Sequence, residues 1–378
     1  MPKGHLVDKI VYNTLILGAG IAGLTIAAAL ARRGVSAHIV ERARDESKRG
    51  PSHPSARGLR LAYAHLPALL PMVERVIPSW RALEARHDHQ LFFEHGAAQI
   101  IPPEHPLSRG MIALDGKHGL SVEPCEVKTI DAFHLDPPDG THLFKEHRAG
   151  ILNASAIHAL LLDEFAREAL QRSATVTQII PTDSGVEVLL AGGMRLTASR
   201  LILCPGGALG DVLAMIPSTT TRWIPPLKRK WQVEVWLARE PDPNLPPMDS
   251  APLLDIVSDN KNLFGLGIPG HPHAFKMTRR LDHSPASVQV ERDAILAEAR
   301  RWLPGNWRVQ RTIASANMIT PDRLFLLGAH PRHPRISIFG GLSGHGYKFA
   351  PLLAEMLAEH LLDNAALPEI FAPARFGS

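Results

Sequence analysis

A chain of 378 residues with a formal net charge of +4 has room for about two to three domains and a large core, and its 45% hydrophobic and 21% charged residues exclude both a disordered chain and a polytopic membrane protein. A pI near 9.2 rests on too few excess charges for a phosphate-tracking stripe, so no nucleic-acid partner is expected. Only Cys125 and Cys204 occur, in no ligand spacing, which argues against a disulfide framework or structural zinc and for a reducing, cytoplasmic setting.

No charged residue occurs from Val11 to Ala31, and Lys3 and Lys9 precede that run, a pattern shared with secretory signals and membrane anchors. Three glycines argue otherwise. Gly18, Gly20 and Gly23 divide the run into a buried strand at 11–17 and an Ala- and Leu-rich helix at 21–33 that stops at Gly34; a second strand at 36–41 ends in Glu41. Strand, Gly-x-Gly-x-x-Gly, helix and a carboxylate about 20 residues on form a dinucleotide fingerprint. Gly18 permits the tight turn, Gly20 lets the main chain approach a pyrophosphate, and Gly23 lets helix and strand pack closely. The N–H groups of Ala19, Ile21 and Ala22 face the phosphates at the helix start. Glu41 accepts from a ribose hydroxyl, with Arg42 beside it.

Arg57 and Arg60 precede a stretch interrupted by Pro67, Pro71 and Pro78; by themselves, two arginines three apart read as a solvated face as readily as a clamp. Residues 229–240 (RKWQVEVWLARE) alternate as a strand with Trp231, Val233 and Val235 on its apolar face. PDPNLPP (241–247) reads as a loop. Lys276 lies between HPHAF and MTRR, so an exposed basic hairpin competes with a functional role. His271, His273, His330 and His333 accompany no carboxylate cluster, and no metal site is expected. Residues 340–349 (GGLSGHGYKF) form a glycine-rich loop feeding an amphipathic helix with Phe349, Leu352, Leu353, Met356 and Leu357 on one face. Its unpaired N–H groups, the helix dipole and Lys348 suit an anion. A reduced flavin carries such charge, which favours flavin over nicotinamide. The tail after Leu367 has no periodicity and reads as a loose extension.

On these residues the chain resembles the D-amino-acid-oxidase-like flavoproteins, in the branch of monomeric sarcosine oxidase and N-methyl-tryptophan oxidase. GAGIAG with Glu41, SARGLRLAY (55–63), AGILNASAIHALLLDEFAREAL (149–170), LILCPGGAL (201–209) and TPDRLFLLG (320–328) followed by GLSGHGYKF carry the likeness. It implies an α/β fold, α+β overall: a discontinuous Rossmann-like FAD domain of glutathione-reductase type (1–85, 148–215, 312–378) and a mixed or antiparallel-sheet substrate domain (86–147, 216–311). Segment 149–170 resembles the helix leading to the adenine-side strand, which carries Ile180. Cofactor contacts are implied at Gly18 to Gly23, Glu41, Arg42, Arg57, Ile180, Gly206, Gly341, Ser343, Gly344, His345, Gly346, Tyr347 and Lys348.

The same likeness implies an FAD-dependent oxidase of a carboxylate-bearing secondary or primary amine, releasing an imine to hydrolysis and hydrogen peroxide from molecular oxygen. Arg60 and Lys348 would hold the carboxylate, Arg57 would lie near the flavin, and Lys276 would activate oxygen. Two positions depart from the pattern. Ser315 replaces the cysteine that binds flavin covalently in many relatives, so FAD is expected to be noncovalent. Arg280 replaces an active-site histidine, which points away from sarcosine itself. Other readings are a dehydrogenase that passes electrons to a quinone or protein, a flavin hydroxylase, disfavoured by Ala329 and His330 after Gly328, and a non-catalytic flavoprotein.

Overall fold

A computed structural model describes residues 10–42, 56–126, 130–135, 137, 140–164, 169–217, 222–257 and 263–377. Lys3, Lys9, Ser55 and residues 165–168 of the 149–170 segment lie outside them. The chain divides into two compact units, Met1–His53 with His158–Arg229 and Asn317–Ser378, and Pro54–Ile157 with Lys230–Ala316.

The first unit is built on parallel strands in the order Leu170–Arg172, Ala37–Glu41, Ile10–Leu17, Arg195–Leu203 and His333–Gly340. Val176–Pro181 and Val186–Leu190 extend the sheet antiparallel, and Leu326–His330 pairs antiparallel with His333–Gly340. A parallel sheet is covered on both faces, so its strands are continuously apolar; Leu15, Ile16, Leu201 and Ile202 are accordingly fully buried. The helix Ile21–Ala31 is buried on every side as far as Leu30. Burial within the fold explains the apolar run, and no helix among the described residues is long and apolar enough to cross a membrane.

The second unit holds a mixed sheet in the order Arg308–Ile319, Lys228–Ala238, His271–Leu281, Leu263–Ile268, Leu253–Ile256, Ala97–Ile101, His142–Glu146 and Val122–Pro124, almost wholly antiparallel. Val233, Val235 and Leu237 point into its core with Phe275, Met277 and Trp307. The apolar face expected from alternation is therefore present. Pro71 and Pro78 fail to break the helix Leu70–His87, which carries Pro71 in its first turn and Pro78 inside.

The two units divide the chain at other points than the family likeness implies. Residues 54–85 and 148–157 belong to the second unit, because Ala56–Leu59 pairs antiparallel with Gly150–Asn153, which also pairs with Phe92–Phe93. For the same reason 150–153 is strand rather than helix; Asn153 then starts the helix Ala154–Glu164, its Oδ1 accepting from the Ala156 N–H at 3.1 Å. Residues 216–229 join the first unit, where Trp223 stacks edge-on to His330 and donates through Nε1 to the Gly377 carbonyl at 2.7 Å. The tail is thus fixed, not loose: Phe371 is fully buried against Phe325, and Arg375 pairs with Asp322 at 2.7 Å.

Candidate functional site

In the first unit Leu17 registers with Val40 and Leu203, and Leu203 with Ile338, all in parallel pairs. These strands therefore end on one sheet edge, and the turns at 18–20, 205–206 and 341–345 leave from it. In open parallel sheets ligands bind outside the carboxyl ends of the strands. The opening and closing glycine loops, remote in sequence, share the edge that a single nucleotide site needs.

Close packing fixes the first loop. Gly18 has φ +108°, and a Cβ there would lie 2.3 Å from the Cys204 carbonyl oxygen; at Gly23 it would lie 1.8 Å from the Gly18 oxygen. Only glycine allows strand, turn and helix this approach. Gly20 precedes the helix with no side-chain cap, and no acidic residue stands in the first turn. The positive end of the dipole faces this edge with no acidic side chain of its own first turn beside it, which favours an anion there. One of the expected donors is committed within the protein: the Ala19 N–H donates to Glu41 Oε2 at 2.7 Å. Glu41 thus braces the loop as well as standing at the strand end where a ribose acceptor is needed, and Arg42 follows it exposed. Gly206, at φ +56°, opens the turn after Arg195–Leu203.

Ile180 is a correction. The residue of its segment that reaches the Glu41 end is Ala174, whose N–H donates to the Glu41 carbonyl at 3.1 Å. Ile180 lies roughly 20 Å further along an extended chain, opposite Glu187 in an antiparallel pair.

In the closing loop Gly341, Ser343 and Gly344 all have positive φ, of +54°, +52° and +77°. Ser343, expected to face the cofactor, is instead buried, with its Oγ 3.1 Å from Thr320 Oγ1 and accepting from the Thr320 N–H at 3.2 Å. Its side chain fastens the loop to the Thr-Pro-Asp turn. His345 precedes the helix Gly346–Asp363, so Tyr347 and Lys348 stand in its first turn rather than in the loop. That turn also lacks an acidic residue, and a lysine at the positive end of a helix dipole leaves the site doubly suited to an anion. Glu355 of this helix pairs with Arg33 at 2.7 Å and with Arg32, at the end of the Gly20 helix. Burial pushes the Glu355 carboxyl up, but the hydrogen bonds from Arg33 and Arg32 outweigh it and hold it below its usual range.

The second unit gathers the other expected residues. Lys276 is no exposed hairpin residue: it lies on the strand His271–Leu281, 2% exposed. Its Nζ donates to the Ala56 carbonyl at 2.8 Å and to Glu234 Oε2 at 3.2 Å. Burial pushes the ammonium down to about 8; Glu234 opposes this and the Arg57 guanidinium reinforces it. Arg57 donates to the same Ala56 carbonyl at 2.9 Å. Thr278 lies opposite Glu234, and Trp236 opposite Lys276, on one sheet face. The Thr278 hydroxyl and the Trp236 indole N–H are buried there without hydrogen-bond partners among the described residues. Arg280, further along that strand, is exposed with its guanidinium 4.9 Å from the centre of the Phe264 ring.

Arg60 requires a second correction. Its guanidinium donates to Gln99 Oε1 at 3.0 Å and pairs with Asp255, because Gln99 and Asp255 register side by side on adjacent strands. Burial alone would lower this group, but Asp255 and then Glu146 hold it above its ordinary value. Glu146, fully buried, also accepts from the Leu61 and Ala62 N–H groups and from Gln99. The carboxylates that Arg60 neutralises belong to the protein. Glu234, Asp255, Gln99 and Glu146 were missed because each is an ordinary polar residue in an alternating strand, and only the pairing of distant strands makes it a partner. The described residues contain no cluster of metal-ligating side chains, and Cys204 is buried, its thiol pushed up by burial.

The family model for FAD dependent oxidoreductases matches residues 13–360. Monomeric sarcosine oxidase of Streptomyces avermitilis is 25% identical over 97% of this chain and 98% of its own length. N-methyl-L-tryptophan oxidase of Yersinia pestis is 22% identical over 97% of this chain and 99% of its own. Among solved structures, the open form of NikD, an unusual amino acid oxidase essential for nikkomycin biosynthesis, superposes with a TM-score of 0.79 at 20% identity, covering 97% of this chain and 98% of that one. At that identity the likeness speaks for the fold.

Proposed function

Because this chain belongs to the family of FAD dependent oxidoreductases, we propose that it is an oxidase of a carboxylate-bearing secondary or primary amine. Bound without a covalent link, FAD would supply the hydride acceptor for the oxidised C–H and the route of its electrons to molecular oxygen. The observation that carries the cofactor half is the meeting of three glycine turns on one parallel sheet edge. Gly18, Gly20 and Gly23 admit the pyrophosphate, Glu41 takes the ribose, and the turn at Gly206 supplies further main-chain donors, whereas in the closing loop the Ser343, His345 and Gly346 N–H groups are spent on the Met318 and Leu342 carbonyls. Noncovalent binding is supported by Ser315 at the position of the attaching cysteine and by the burial of Cys204.

The chain's own residues do the rest. Lys348 orients the substrate carboxylate through its charge. Lys276 presents a fixed ammonium that favours electron transfer to oxygen by preorganised charge. Arg60 holds Gln99 and Asp255 in place instead of gripping the substrate. Cys125 and Cys204 form no disulfide, which supports a reducing, cytoplasmic setting.

Anaerobic titration of the purified yellow protein with secondary amines, amino acids and imino acids tests the assignment. At least one class should bleach the flavin, and admitting oxygen should restore the colour with one peroxide per turnover. If no amine bleaches it, the oxidase reading is wrong. Bleaching that oxygen reverses no faster than it does free reduced flavin, but a quinone reverses quickly, would make the protein a dehydrogenase.

A further inference from the structure

The Ala56 carbonyl accepts from two cations, Lys276 Nζ at 2.8 Å and Arg57 Nη1 at 2.9 Å. Two positive groups on one neutral oxygen inside a protein need a counter-charge. Among the described groups that face Lys276, its own strand contributes Thr278 and, beyond it, Arg280; the neighbouring strand Leu263–Ile268 contributes Leu266; and Lys228–Ala238 contributes Trp236 and Glu234. Glu234 is the carboxylate in this set, 5% exposed, with Oε2 3.2 Å from Nζ. Its other oxygen accepts from Gln232 Nε2 at 2.8 Å, so the carboxylate is itself aimed.

We propose that Glu234, oriented by Gln232, is a positioning residue that keeps the Lys276 ammonium protonated and fixed against the Ala56 carbonyl. For oxygen chemistry this rests on the reading of Lys276 given above. The physical coupling is separable from it. Removing the carboxylate leaves burial and Arg57 acting on Lys276 unopposed, and both disfavour the charged form. Lys276 would then be largely neutral at a pH where the wild type is half charged.

The test is a titration of the Lys276 side chain in the FAD-loaded protein labelled with carbon-13 at the lysine ε position, its signal identified by loss in Lys276→Met. The wild-type midpoint should lie near 8, and Glu234→Gln should lower it by about one pH unit or more. Gln232→Leu should lower it less, and Glu234→Asp should restore most of the wild-type value. An unchanged midpoint in Glu234→Gln overturns the proposal. Should that variant not fold, Gln232→Leu carries the decision, since a carboxylate no longer held by Gln232 must still let the midpoint fall below that of the wild type. Stopped-flow reoxidation over the same pH range separates the two readings: at pH 8 the Glu234→Gln rate should fall about fivefold. A moved midpoint with unmoved reoxidation upholds Glu234 as the counter-charge and rejects Lys276 as the oxygen-reactive cation.

Discussion

At the scale of single residues, the buried charges of the second unit determine what mutagenesis reports. Arg60 is paired with Asp255 and near Glu146, so Arg60→Ala strands buried carboxylates. A loss of about 3 kcal/mol in urea unfolding is expected, and Arg60→Ala combined with Asp255→Asn should recover part of it. If Arg60→Ala instead leaves stability intact and raises KM only for carboxylate substrates, the clamp role returns. Lys276 gives a signed pH dependence. Its pKa falls from 10.5 when unfolded to about 8 when folded, so between those values the unfolded chain binds the extra proton. Stability attributable to this residue is therefore lowest below 8 and rises as pH climbs from 8 towards 10.5. Cys204 acts oppositely, because burial raises its pKa and its thiolate forms more easily in the unfolded chain. The measurable quantity is consequently the difference between wild type and Lys276→Met, which should shift in favour of wild type from pH 8 to pH 10; a flat difference would show that Lys276 keeps its ordinary ionisation.

At the scale of elements, glycine substitutions separate sites of close approach from sites of mere backbone preference. A Cβ at Gly23 would lie 1.8 Å from the Gly18 carbonyl oxygen, whereas at Gly34, with φ +73°, it would meet nothing within 4 Å. Gly34→Ala should cost about 1 kcal/mol through its left-handed conformation and leave flavin content unchanged. Gly23→Ala must push the helix Ile21–Ala31 off the turn it starts from, and should yield protein whose flavin absorbance per chain is reduced at least tenfold. Equal flavin content in the two variants would remove the glycine edge from the cofactor site. This element was legible in the sequence because its demands are local: strand, turn, helix and Glu41 lie within 32 residues from Ile10. The closing loop was legible as glycine-rich but not in its detail. The inward turn of Ser343 depends on Thr320, 23 residues away, and no periodicity records such a bond.

At the scale of the whole molecule, what sequence reading recovered and what it missed divide along the range of the interactions. The buried strand at 11–17 and the alternating strand at 229–240 were legible because each carries its pattern for itself, whereas the two sheet types came only with the family likeness. The assignment of 54–85 and 148–157 to the second unit depends on the pairing of Ala56–Leu59 with Gly150–Asn153, a partner choice that neither segment shows alone. The tail after Leu367 was misjudged for a related reason, since single anchoring residues make no pattern. Phe371 is wholly buried with its ring centre 5.2 Å from that of Phe325. Arg375 holds Asp322; burial pushes that carboxyl up, but the hydrogen bonds from Arg375, the Leu324 N–H and Thr320 together outweigh it and keep it below its usual range. Gly377 accepts from the Trp223 indole. Removing 368–378 would therefore expose a core aromatic face, leave a buried indole N–H without its acceptor and free Asp322 in the very turn that Thr320 and Ser343 tie to the closing glycine loop. Truncation should lower the thermal midpoint by many degrees, and Phe371→Ala alone should cost about 3 kcal/mol. Because the tail is fastened beside that turn, flavin should dissociate more readily from Arg375→Ala than from a surface control such as Arg195→Ala, read as recovered fluorescence on dilution. Unchanged flavin release in Arg375→Ala would show that the tail stabilises the first unit without supporting the cofactor loop.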